Sequence, residues 1–93
     1  MRFEWDDAKA RSNLVKHGVS FGEATEVFYD PNGLEDYDVE HSETESRFFI
    51  IGLSNRRLLY VIYAERLSDM IRIISARKAD QVEQHIYEQT KNR

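Results

Sequence analysis

The residues best equipped for chemistry are three arginines set among apolar neighbours and two histidines. Arg66, Arg72 and Arg77 sit at the ends or in the interior of segments otherwise built from Val, Ile, Tyr and Ala. A guanidinium within a sheet needs a counter-charge, which is either a structural carboxylate, with Glu65 the nearest candidate, or a phosphate from outside. His17 follows Lys16 directly. Its imidazole can give or take a proton near neutrality or contact a phosphate, and as imidazolium it equally suits the negative end of a helix. His41 is the second imidazole of interest, and His85 falls on the last expected helix. Tyr60 and Tyr63 offer aromatic surfaces for base stacking or for core packing.

Metal chemistry is a poor fit. Asp36-Tyr37-Asp38-Val39-Glu40 opens like a calcium-binding loop, with carboxylates at alternate positions. The sixth position, where glycine makes the bend, is His41, and the twelfth, where a bidentate glutamate belongs, is Arg47. The chain has no cysteine, so neither a thiolate site nor a disulfide framework is available. No metal and no cofactor are expected.

Charge is segregated along the chain. The formal total is −4, but residues 1–17 carry a net +1, residues 18–46 a net −9 with no Lys or Arg, and residues 47–93 a net +4. Such a division suits a basic working surface and a separate acidic one, although charge runs also arise simply as solvated faces. The opening MRFEWDD has no apolar signal core, and the longest greasy stretch, Leu58 to Ala64, is too short to span a bilayer. A cytoplasmic protein with no membrane contact is expected. Ninety-three residues, 41% of them hydrophobic, suit one domain over 1–93 with one core.

The elements that must position these residues are legible from periodicity and punctuation. A short strand at Arg2 to Trp5 precedes Asp6 as N-cap and a helix from Asp7 to His17, with Ala10, Leu14, Val15 and Trp5 as its inner face and Gly18 as its C-cap. Ser20-Phe21-Gly22-Glu23 reads as a capping box opening a second helix with Phe21, Ala24, Val27 and Phe28 buried, stopped by Asp30-Pro31-Asn32-Gly33. Four strands follow, Leu34 to Val39, Arg47 to Leu53, Leu58 to Arg66 and Met70 to Arg77, with Glu40 to Ser46 as a loop. A final helix from Ala79 to Lys91 places Ala79, Val82, Glu83, Ile86 and Tyr87 on one face, for the sheet or for another chain. The expected fold is α+β, in the order β-α-α-β-β-β-β-α, an antiparallel sheet with helices on one side.

Simple alternation in the last strand puts Met70, Arg72, Ile74 and Ala76 on one face and Ile71, Ile73, Ser75 and Arg77 on the other. Arg72 and Arg77 then do not cooperate unless a bulge intervenes. If the helices cover one sheet face, the other is an open surface on which arginine, tyrosine and histidine can contact the phosphates and bases of single-stranded RNA, with core packing the other role open to Tyr60 and Tyr63.

One family shares this succession of motifs. Phe3-Glu4-Trp5-Asp6, Lys9, Asn13, Lys16-His17-Gly18-Val19 and Phe21, then Glu45-Ser46-Arg47-Phe48, Ile51-Gly52, Leu58 to Arg66, Arg72 to Arg77, Glu83 and Tyr87 together resemble the BrnT toxin family across the whole chain. The resemblance implies a RelE-like ribonuclease toxin of a type II toxin–antitoxin pair. Such a toxin inhibits translation by cutting RNA and is neutralised by a BrnA-like ribbon-helix-helix antitoxin, through which alone operator DNA is contacted. It also implies Lys16, His17, Arg47, Glu65, Arg72 and Arg77 as site residues. The corresponding mechanism is metal-independent attack of the 2′-hydroxyl on phosphorus. Arg72 and Arg47 stabilise the phosphorane, Glu65 or His17 moves protons, and Lys16 and Arg77 bind substrate. The rival is a non-catalytic protein- or DNA-binding module in a repressor complex, its arginines serving structure or DNA phosphates.

Overall fold

A computed structural model describes residues 1–39, 45–67 and 69–92. The elements are β1 (Arg2–Glu4), α1 (Asp7–His17), α2 (Phe21–Glu26), a 3-10 turn (Val27–Tyr29), β2 (Leu34–Tyr37), β3 (Phe48–Leu53), β4 (Leu58–Arg66), β5 (Met70–Lys78) and α3 (Gln81–Lys91). His41 and most of the Glu40–Ser46 stretch lie outside the described residues, and with them the middle of the calcium-loop mimic.

The five strands form one sheet in the order β1-β5-β4-β3-β2. Strands β2 to β5 are antiparallel as expected, but β1 pairs parallel with β5, so the sheet is mixed. Local punctuation sets most boundaries. The Asp6 carboxylate accepts from the Lys9 N–H and opens α1, and Gly18 closes it at φ 69°, the left-handed conformation that glycine adopts without strain. Ser20 caps α2 through the Glu23 N–H. Helix α3 begins two residues later than expected, because Asp80 and Glu83 form a reciprocal capping box there.

Packing α1 and α2 on one sheet face buries Val19, Phe21, Ala24 and Val27 against Ile50, Leu59, Val61, Tyr63, Ile73 and Ala76. Each large side chain so removed from water contributes about 1.5–3 kcal/mol of transfer free energy. Gly52 lets the 3-10 turn approach β3, since a Cβ there would sit 3.0 Å from both the Cβ and the carbonyl oxygen of Val27. Phe3 and Phe28 extend this core, Phe28 meeting Tyr63 edge-on at 4.9 Å between ring centres.

Helix α1 presents a different residue inward from the one its apolar pattern suggested. Leu14 is 51% and Val15 89% exposed, whereas Asn13 is only 7% exposed. Asn13 Nδ2 donates to the carbonyls of Val19 (2.9 Å) and Ala76 (2.8 Å), and its Oδ1 accepts from the Ala76 N–H (3.1 Å). Strand β1 pairs with β5 only as far as Arg72, so the Asn13 amide acts as a one-residue continuation of that missing strand. Polar satisfaction at a sheet edge thus outweighs the apolar stripe.

Candidate functional site

Strand β5 contains one residue more than straight pairing allows. Ile62 pairs with Ser75 but Tyr63 pairs with Ile73, so Ile74 is an inserted bulge residue. The insertion resets the alternation. Arg72, opposite Ala64, and Arg77, opposite Tyr60, therefore share the face that α1 and α2 leave uncovered, and Ser75, opposite Ile62, lies between them. The separation of the two arginines expected from straight alternation is corrected by this bulge. From Tyr60 to Ala64 is four residues of extended chain, which puts the arginine backbones about 13 Å apart. Arg47 directly precedes Phe48, the partner of Tyr63, and so falls in line with Ala64 and Arg72 across the sheet.

The counter-charges come from remote elements and not from Glu65. Arg72 lies 3.2 Å from Glu4, the residue opposite it on β1, and Arg66 lies 3.6 Å from the same carboxylate oxygen. Arg77 makes a two-pronged pair with Glu83 of α3, both contacts 2.8 Å, and its guanidinium carbon sits 4.3 Å above the Tyr60 ring. Hydrogen bonding to Glu83 raises the Arg77 pKa, against the opposing effect of burial. Tyr60 in turn stacks on Phe49 at 5.3 Å between centres, giving this face a two-ring aromatic platform.

Glu65 shares the other face with Tyr63 and lines a cleft of about 300 Å³ with Phe28, Glu35 and Ile71. Tyr63 donates a hydrogen bond to Glu35 there, and burial together with that carboxylate pushes its phenol pKa up. Tyr63, 1% exposed, is a core residue. Tyr60 is half-buried on the open face.

Lys16 and His17, in the last turn of α1, line a cleft of about 190 Å³ whose opposite wall is Ile74 and Ser75. The structure thus brings Arg72 and Arg77 to one face and Lys16 and His17 to its β5 edge, with Arg47 immediately before β3 and its Nε buried, while Glu65 opens to the opposite side. Glu4 and Glu83, which hold the arginines, are ion-pair partners that the sequence reading did not supply. They are 68 and 6 residues from Arg72 and Arg77, and only Glu83, within a capping box, left a local trace. Among the described residues no cluster of three or more His, Cys, Asp or Glu is placed to hold a metal ion, and no helix is long and apolar enough to cross a membrane.

An open sheet face bearing guanidinium groups and stacked aromatics, backed by two helices, defines an α+β protein suited to polyanions. The same fold is found in the 1.1 Å crystal structure of the Brucella abortus ribonuclease toxin BrnT. That structure has 25% sequence identity to this chain and a TM-score of 0.64, and the alignment covers 87% of this chain and 99% of the Brucella one. Residues 5–83 match the model of the family described as ribonuclease toxin, BrnT, of type II toxin-antitoxin systems. The chain belongs to the BrnT family of ribonuclease toxins. No curated protein sequence matches it.

Proposed function

We propose that this chain is a metal-independent endoribonuclease whose working surface is the open face of β3, β4 and β5. The observation that carries the reading is the Ile74 bulge, which turns Arg72 to the same side as Arg77, itself seated over Tyr60. A single strand of RNA laid across this face meets cations for its phosphates and the Tyr60–Phe49 stack for its bases. The RNA 2′-hydroxyl attacks the adjacent phosphorus. The new P–O2′ bond replaces the P–O5′ bond, leaving a 2′,3′-cyclic phosphate and a 5′-hydroxyl. Arg72 and Arg47 stabilise the charge of the phosphorane, Arg77 and Lys16 hold flanking phosphates, and His17 delivers a proton to the departing 5′-oxygen while water takes the proton of the 2′-hydroxyl. Guanidiniums stay protonated, so they act by charge and position.

The donor set favours this chemistry over a divalent cation. Among the described residues, the carboxylate in ion-pair contact with Arg72 is Glu4, already shared by two guanidiniums, and the nearby Asp6 carboxylate is engaged in capping α1, whereas Mg²⁺ and Ca²⁺ need several oxygen ligands. As a family member the chain has an antitoxin partner. We take this to be a BrnA-like ribbon-helix-helix protein that also carries operator binding, and the consequence of RNA cleavage to be inhibition of translation in the cytoplasm.

The test is to incubate purified protein with 3′-labelled single-stranded RNA in EDTA, with and without ribosomes, and to map the fragment ends. Cleavage leaving 2′,3′-cyclic phosphates, lost in Arg72→Ala and His17→Ala variants that remain folded by circular dichroism, is the expected result. Undiminished cleavage by both variants overturns the mechanism. Absence of cleavage in every condition returns the protein to a binding module.

A further inference from the structure

The cleft at the β5 edge holds more than Lys16 and His17. Lys9, Ser12 and Lys16 recur at helical spacing on α1 and face Ile74 and Ser75 across it. Every side chain of that stripe is an exposed hydrogen-bond donor, and no carboxylate lines the cleft. Asp6 lies one turn earlier and is engaged by the backbone N–H of Lys9. Among the described residues, the side chains of Lys9, Ser12, Lys16 and His17 make no hydrogen bond or ion pair. Arg72 and Arg77, by contrast, are held by Glu4 and Glu83. The Asp6 carboxylate attracts the Lys9 ammonium only from beyond ion-pair distance, so this cleft carries positive charge that no close ion pair neutralises, unlike Arg72 and Arg77.

Its position is defined by the bulge. Ser75 lies between Arg72 and Arg77 on the open face and also forms the cleft wall, so a chain that crosses that face and turns over the β5 edge at Ser75 enters the cleft that Lys9 and Lys16 line. Asn13 forms part of the cleft lining and is fixed to Ala76 by two hydrogen bonds, which keeps α1 and β5 at constant spacing. We infer that Lys9 and Ser12, with Lys16, form a phosphate subsite for the nucleotide next to the one held over the arginines. This subsite rests on the RNA-cleaving reading above. It takes the phosphodiester backbone of a single strand and reads no base, since its groups are ammonium and hydroxyl donors suited to phosphate oxygens.

The experiment measures binding apart from cleavage. A fluorescent 12-nucleotide RNA made non-cleavable by 2′-O-methyl groups is titrated by anisotropy with the parent, with Lys9→Ala, with the Lys9→Ala/Ser12→Ala pair and with Lys91→Ala. The last removes the same charge from the far end of α3. Lys9 and Ser12 are exposed on α1, so their removal leaves the core intact. The expected result is a Kd raised about 5-fold in Lys9→Ala and further in the pair, with a salt slope shallower by about 0.7, the value for one lost single-strand phosphate contact. Lys91→Ala should match the parent. For cleavable RNA, Lys9→Ala should raise KM and leave kcat unchanged. A Kd and salt slope for Lys9→Ala equal to the parent, or a loss shared equally by Lys91→Ala, overturns the subsite. If the parent binds the analogue with the expected Lys9 dependence yet cleaves no RNA, the subsite stands and the catalytic reading alone fails.

Discussion

The side chain of Asn13, in the middle of α1, bonds both the N–H and the C=O of Ala76, 63 residues later, and so ties the helix to β5 just beyond the Ile74 bulge. Truncation to Asn13→Ala leaves those two buried backbone groups and the Val19 carbonyl without this partner. Each unsatisfied group costs about 1–3 kcal/mol, partly recovered where water enters. The expected net loss is about 3 kcal/mol, read as a lower urea midpoint at an unchanged m-value. A midpoint equal to the parent's would show that the amide is dispensable.

Arg72→Ala should slow RNA cleavage by about 10²–10³-fold, the usual consequence of removing a group aimed at developing negative charge. Stability should change little, because Glu4 keeps Arg66 as an ion-pair partner. Arg72→Lys should fall between, since it preserves the charge but loses the planar fork. Single-turnover rates on saturating RNA, beside urea midpoints for the same proteins, separate the two effects.

How much of this was legible in the sequence depends on whether the signal was local. The Asp6 and Ser20 caps, the Gly18 stop and the bounds of β4 follow from residues within a few positions of each other, and the structure reproduces them. The bulge does not announce itself, because Ile71, Ile73 and Ile74 are all apolar and an extra residue among them leaves no visible break in alternation. The parallel pairing of β1 was equally hidden, as three residues carry too little pattern to show direction. The arginine partners are hidden from local sequence in the same way. Glu65 is near in sequence but on the wrong face, whereas Glu4 is brought beside Arg72 only by strand pairing. In α3, Tyr87 turns inward to donate to Asp30, while Val82 and Ile86 stay 68% and 41% exposed, so only part of its apolar stripe packs on the sheet.

The Arg77–Glu83 pair restrains a cation that the proposed mechanism uses for substrate. Glu83→Gln retains an oxygen acceptor for the Asp80 N–H and removes the charge that holds Arg77. The pair is partly exposed, so the loss of stability should be about 1 kcal/mol or less. Binding of the 2′-O-methyl RNA at low salt should tighten several-fold. Weaker binding instead would mean that Glu83 orients Arg77 for RNA rather than competing with it.

Acid stability should depend on two carboxylates far from the arginine face. The Arg57 guanidinium bonds Glu23 and holds its carboxyl below the ordinary glutamate range, opposed by burial and helped by the Ser54 hydroxyl. Burial pushes Asp30 up, but bonds from the Leu53 N–H, the Tyr87 hydroxyl and the Asn32 N–H outweigh it, and its pKa is also lowered. Both groups bind a proton more readily in the unfolded chain than in the folded one. Their contribution is therefore complete above the unfolded values, near pH 4, and is lost as pH falls through the lower folded values. Glu23→Gln removes one of these titrations and also weakens the Arg57 contact. The variant should be less stable than the parent at pH 7, and the gap should narrow as pH falls below about 4. Urea midpoints across that range check the sign, and a gap that widens toward low pH would mean that Glu23 is not held ionised by Arg57.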